Sequence, residues 1–320
     1  MNSAKTFDVI TVGDVFIDIV MSGFAAWPQP GEEAFARQLH REIGGGAAIT
    51  ACGLARLGAR VSVLTMAGQS DGQWLIERLK DGGVETGLIR FHLTEPTGLT
   101  VAVSTPGDRA FFTYAGANQF LKELLSDPQI HSELARARHV HIAFPIDPGL
   151  LSELADKLRA AGCSVSVDVG WQKDWLEDER ASGALGRVDL FFPNEREAEL
   201  MTGQPEPEAM LQSLSAMGLQ CVALKLGARG SMLLDEDEIV ECPPHRVKPV
   251  DTTGAGDSFD AGFIYGWLQG ESPAACLRIA SVCGALSTEG IGGVAAFPTR
   301  EQLQAQIERF STASGSERVL

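Results

Sequence analysis

The sequence predicts an α/β chain in which helices cover both faces of a mostly parallel central sheet, a three-layer sandwich, with a small β-sheet lid added. Three observations predict it. Short apolar runs alternate with stretches of helical periodicity over most of the 320 residues, the rhythm of strand–helix–strand crossovers. Glycines follow the helical stretches at 58, 82–83, 162 and 203, where a left-handed residue commonly ends a helix. Two regions, 15–43 and 87–115, carry strand signals with no helix between them.

Taken in order, 7–12 reads as a buried strand ending at Gly13, and 47–57 as a helix closed by Gly58. A strand at 61–66 and a helix at 72–80 follow. Strands at 139–142 and 165–169 flank a helix at 148–161. A strand at 190–192 leads into a helix at 195–201, and a further strand is expected at 221–225. Crossovers between such parallel strands are right-handed. The runs 99–104 and 110–114 flank Thr-Pro-Gly-Asp (105–108), a hairpin turn. The regions 15–43 and 87–115 are therefore read as insertions forming the lid of one domain spanning 1–320. Helices are expected at 258–269, 273–288 and 300–310, and 311–318 reads as a frayed tail. The 258–269 stretch, SFDAGFIYGWLQ, is apolar nearly all round, as a buried helix is.

The net charge of −16 argues against nucleic acid or an anionic membrane as partner, since both need clustered Lys and Arg. An anionic ligand must then be held by local features. No run of about 18 apolar residues suggests a membrane span. The start, MNSAKTFDVITVGD, lacks the pattern of a signal peptide. None of the six cysteines forms CxxC, which fits buried thiols of a cytoplasmic protein.

The strongest local signal is DTTGAGD (251–257), directly before the apolar helix. Gly254, Ala255 and Gly256 let a ligand approach the backbone closely. The first helical turn adds unpaired N–H groups and a partial positive charge, an anion site that needs no lysine. Asp257 would stand beside the bound anion, where a carboxylate can take the proton of an attacking hydroxyl. On spacing alone, Asp257 is equally an N-cap in a glycine-rich loop.

DTTGAGDSFDAGFI (251–264) closely resembles the C-terminal signature of the ribokinase-like (PfkB) carbohydrate kinases. The resemblance implies the ribokinase-like fold and ATP-dependent phosphoryl transfer to a hydroxyl of a sugar or sugar-like acceptor. It implies Asp257 as catalytic base and Gly254, Ala255 and Gly256 as the anion hole. The rest of the chain agrees in order and spacing. PNERE (193–197) is similar to the family's Asn-x-x-Glu motif, which would place Asn194 near the nucleotide phosphates and Glu197 on Mg²⁺ through water. An acidic first helical turn explains the same residues. VALKLGARG (222–230) is similar to the strand and loop beneath ATP, with Lys225, Gly227 and Gly230 at matching positions; Lys225 is either near phosphate or structural.

In VGDVFIDIV (12–20), the resemblance assigns Asp18 to acceptor hydroxyls, with Asp14 a second candidate. Acids facing solvent on an alternating strand are the alternative. GGGAAITA (44–51) resembles the family's first signature, bringing Gly45 and Gly46 to the acceptor, and TYAGAN (113–118) is similar to the lid-closing segment, ending at Asn118. Asp251 and Thr253, with EGIGG (289–293), match positions that hold a monovalent cation such as K⁺ in many members; turn capping by Asp251 is the alternative. The adenine is expected against the end of the 280–290 helix. Two departures stand out. Ile49 occupies a position where the family usually has asparagine, and Phe16 a position where ribokinases commonly have one. A sugar hydroxyl left unpaired against either would cost about 1–3 kcal/mol, which argues against a ribose-like pose. Alternative functions are a nucleoside kinase of the same fold and a binding protein without turnover. The lid has exposed strand edges, which a second copy in a homodimer would cover.

Overall fold

The computed structural model describes residues 5–105 and 108–316. The strands are, in chain order, β1 (Phe7–Gly13), β2 (Phe16–Ser22), β3 (Gln38–Gly44), β4 (Val61–Leu64), β5 (Met66–Gly68), β6 (Arg90–His92) and β7 (Leu99–Thr105). They continue with β8 (Asp108–Tyr114), β9 (Ala137–Ala143), β10 (Ser164–Val167), β11 (Leu190–Phe191), β12 (Cys221–Lys225), β13 (Ser231–Asp235) and β14 (Glu238–Cys242). Eight of them form the main sheet, in the order β14-β13-β12-β11-β10-β9-β1-β4. It is parallel from β12 to β4, and β13 pairs antiparallel with both neighbours.

Because neighbouring side chains on a strand point to opposite faces, this sheet carries two cores. Val9, Val61, Val63, Leu190 and Phe192 face the helices Gly46–Arg56, Ala255–Gln269 and Pro273–Ser287. Ile10, Val12, Val140, Ile142 and Val222 face the opposite layer, which includes Pro148–Ala160 and Pro207–Ala216. Strands buried on both faces read as continuous apolar runs, which is why they are legible in the sequence. β1, β9, β10 and β12 end at the same rim, and the loops leaving them carry Asp14, Phe144, Asp168 and Leu226.

A four-stranded sheet in the order β3-β2-β7-β8 stands over that rim, with β2 and β7 parallel and the outer pairs antiparallel. Its composition differs from expectation at one point: β6, within the 87–115 stretch, pairs with β5 rather than joining this sheet. Of the 105–108 turn, residues 106–107 lie outside the described residues. The expected 61–66 strand splits into β4 and β5, since Thr65 interrupts the ladder. The helix after the glycine loop begins at Ala255, three residues earlier than expected, so Asp257 lies inside its first turn. The backbone expected to fray at 311–318 is helical to Ser316, and 317–320 lie outside the described residues.

Candidate active site

The glycine loop is shaped by Gly254, which caps the 255–269 helix in the left-handed region (φ 71°, ψ 9°). A side chain there would be strained and crowded: a Cβ would stand 2.8 Å from Gly293 Cα and 2.9 Å from Ile49 Cδ1. Ile49 is buried. It packs against the loop at Gly254 and against Gly293. Phe16, half-buried, instead lies against Gly98 and Asn118 where the lid meets the body.

Asp257 sits between two helix starts. It belongs to the first turn of one, and the other begins at Gly46, where a Cβ would stand 2.8 Å from Asp257 Oδ1. Thr50, one turn further along that helix, donates to the Asp257 carbonyl oxygen at 3.1 Å. The positive ends of both helices thus meet at one point. Burial, then the Asp168 carboxylate, pushes the Asp257 carboxyl up to about 6, against the pull of Lys225.

Beneath the loop lies a charge cluster. Lys225 Nζ donates to Asp168 Oδ2 at 2.6 Å and to Asp260 Oδ1 at 3.3 Å. Carboxylate oxygens of Asp168, Asp257 and Asp260 lie within 4.8 Å of one another. Asp260 has no exposed surface, and burial above all pushes its carboxyl well up. The Asp168 side chain is 12% exposed, and Lys225 and the hydrogen bonds it receives hold it low. A polar seam runs from it into the sheet. His139 shares hydrogen bonds with Ser164 and Ser166 at 2.7 Å each, and His141 with Ser166 at 2.8 Å.

On the lid side, the Asp18 carboxylate lies over Gly44, where a Cβ would come within 2.2 Å of it. Burial raises Asp18 to about 6, and Asp251, Glu42 and Asp257 add to the rise. Asp14 is also raised by burial to about 6, with Lys122 opposing. Gly45, at φ 92°, packs on the Asp14 carbonyl, joining the lid hinge to the helix start. Asn118 differs from expectation. Its Oδ1 accepts from Val15 N–H at 3.2 Å and its Nδ2 donates to Val15 C=O at 2.9 Å, so this buried amide fastens the lid hinge.

Asn194 and Glu197 form a reciprocal capping box. Glu197 N–H donates to Asn194 Oδ1 at 3.0 Å, and the Glu197 carboxylate accepts from Asn194 N–H at 2.8 Å and Nδ2 at 2.6 Å. Asp251 ties two loops together: its carboxylate accepts from Thr253 N–H at 2.9 Å and Gly292 N–H at 3.0 Å. Lys225, Gly227, Gly230 and Gly256 line a cavity of about 690 Å³, closed on its far side by Gly284 and Thr288 of the 273–288 stretch. Pro244 and Val247, absent from the sequence reading, supply an apolar wall. Gly230 also serves the fold, since a Cβ there would meet Cys242 C=O at 2.2 Å.

Sequence reading missed Asp168 and Asp260. A signal existed for each. Asp260 is the one acid in the otherwise apolar 258–269 stretch, and the alternation HVHI (139–142) and SVSVD (164–168) places polar residues on a strand face that should be buried.

Comparison with known proteins agrees with the fold. The pfkB family carbohydrate kinase profile matches residues 6–300. A 2-dehydro-3-deoxygluconokinase of Bacillus subtilis is 31% identical over 82% of this chain and 85% of its own length. A nucleoside kinase of Methanothermobacter thermautotrophicus is 26% identical over 97% of each chain. The structure of Arabidopsis thaliana ribokinase complexed with ribose and ATP superposes with a TM-score of 0.84, at 26% identity, covering 96% of this chain and 99% of that one.

Proposed function

The chain belongs to the pfkB family of carbohydrate kinases, an ATP-dependent kinase of a sugar or nucleoside, and from that premise we propose that Asp257 is the base that activates the acceptor hydroxyl. The observation that carries this reading is the carboxylate held at the meeting of two helix starts, beside Gly254–Gly256 and beneath the lid. Asp257 takes the hydroxyl proton while the oxygen attacks the γ-phosphorus, and the bond to the leaving ADP breaks. The first-turn amides around Gly256 stabilise the charge on the transferring group. ATP lies in the 690 Å³ cavity, with adenine between Gly284 and the apolar side chains of Pro244 and Val247. Lid closure keeps water from the phosphoryl group.

Mg²⁺ supplies neutralisation of the phosphate charge when bound. The nearly fully buried Glu197, already accepting two hydrogen bonds from Asn194, fits a water-mediated role and not direct ligation. Asp251 and Thr253, beside the 289–293 loop, are the residues we assign to a K⁺ ion; turnover that is equal in K⁺ and Na⁺ buffers removes that assignment. We place the acceptor beside Asp14, Asp18 and Asp257, whose carboxyls are all raised by burial. Carboxylates accept from paired hydroxyls and repel anions, which supports an uncharged polyol over a sugar acid. A nucleoside is the second reading, supported by Phe16 at the lid hinge, whose ring suits a base better than a hydroxyl.

The test is ADP release over a panel of neutral sugars, sugar acids and nucleosides, with Asp257→Asn beside the parent. We expect the variant to bind ATP normally and to lose about 10²–10⁴-fold in kcat. Turnover within tenfold of the parent overturns the mechanism.

A further inference from the structure

We infer that Lys225 is a positioning residue rather than a nucleotide ligand: with Asp168 and a protonated Asp260 it forms a buried triad beneath the glycine loop that sets the basicity of Asp257. The inference rests on the reading of Asp257 as base.

Contacts support it first. Both short contacts of the ammonium are to carboxylates, Asp168 at 2.6 Å and Asp260 at 3.3 Å, and the lysine side chain is only 13% exposed. Its Nζ lies 3.5 Å from where a Cβ on Gly256 would stand, immediately behind the loop. Asp260 follows Asp257 by three residues on one helix, so the triad touches the base through a single helical turn.

Charge counting supports it next. Three carboxyl groups lie within 4.8 Å of one another, and one ammonium meets two of them. A dry interior does not hold two surplus negative charges, so at least one proton stays. Asp260 is the group that keeps it: it has no exposed surface, and its Oδ2 meets no N–H or O–H donor. Protonated, Asp260 is able to donate to the neighbouring Asp168 side chain. The triad is then neutral overall, Lys225⁺ balancing Asp168⁻. Asp257 stays free to cycle its proton within a few pH units of neutrality.

Other ionisable groups face this cluster. Glu197, from the helix Glu195–Thr202, acts on Asp168 and Lys225. Asp18 acts on Asp257 from the lid. His141, on β9, is neutral near pH 7 because burial pulls it down to about 4.

The experiment follows the acid limb of log kcat with Mg·ATP and acceptor both saturating, so that bound acceptor covers Asp14 and Asp18. Lys225→Met removes the positive charge, and the limb is expected to move up by about one pH unit. The double variant Asp168→Asn, Asp260→Asn leaves Lys225 uncompensated, and the limb moves down by about as much. Asp260→Asn alone mimics the neutral acid and leaves the limb in place while kcat falls. A merely structural role would not shift the limb in opposite directions. Limbs that move together, or stay fixed while the KM for ATP rises about tenfold in Lys225→Met, overturn the triad in favour of a phosphate contact. A limb that drops in Asp260→Asn overturns the assignment of the proton. If Lys225→Met does not fold, the two asparagine variants still decide. A failed triad with an inactive Asp257→Asn leaves the base role standing; an active Asp257→Asn fails that role first.

Discussion

The floor of the site and its roof treat charge in opposite ways. On the floor, Lys225 meets Asp168 and Asp260 directly, and these charges are compensated within a few ångströms. On the roof side, Asp18 has Asp251, Glu42 and Asp257 as its electrostatic neighbours, all of one sign. The floor is set in packed strand ends and two buried helices; the lid sheet bears exposed Leu39, Phe112 and Tyr114. The difference teaches that the floor is built to stay put, whereas the lid side leaves like charges facing one another, a strain that the proposed polyol would relieve.

The largest effect that sharpens this contrast should come from the floor. Gly46→Ala sets a methyl 2.8 Å from Asp257 Oδ1, too close for the carboxylate to stay in place. Displacing a base by a fraction of an ångström should cost about 10–100-fold in kcat, with KM for the acceptor changed far less. A kcat within twofold of the parent would show that the carboxylate need not sit against the helix start.

Asp18→Asn probes the roof. Its expected signature is the reverse: acceptor KM up about tenfold, as for one charged hydrogen bond lost, with KM for ATP unaltered. Stability should move the other way. A carboxyl whose folded pKa is raised, here to about 6, binds its proton more tightly in the folded state. Its contribution is therefore lost as pH rises from about 4 through 6. The variant should melt about 1–3 °C higher than the parent at pH 8, and the gain should vanish below pH 4. A variant less stable than the parent at pH 8 would mean that Asp18 is compensated like the floor.

The smallest effect concerns the lid's outer surface. Leu39 and Phe112 lie on the two edge strands, and Trp27 stacks on Phe112 at 6.2 Å. We expect the parent to scatter light as a homodimer joined through the lid, and Phe112→Ser to weaken it without altering kcat. A monomeric parent would leave the lid's apolar surface without that partner.

Much of the floor could be read in the chain before folding. DTTGAGD announces a glycine turn, an anion site and an acid within seven residues, because a local motif needs only local geometry. The alternating strands and helices were legible for the same reason. The packing of Ile49 was not: it lies buried against Gly254 and Gly293. Asn118 looked like a ligand, but both ends of its amide are taken by Val15, 103 residues away in sequence. Lys225 likewise matched a nucleotide strand, and nothing in its neighbours revealed Asp168, which comes from a different strand end.

By itself, then, the amino-acid order determined the α/β layering, the glycine turn and the acid within it, since hydrophobic periodicity and glycine placement act over a few residues. Which charges neutralise one another, and which polar groups are used for fastening rather than recognition, was decided only when strand ends far apart in sequence met at one rim. The reason is physical: the cost of a buried charge depends on what lies within about 4 Å of it, and that neighbourhood is assembled by the fold.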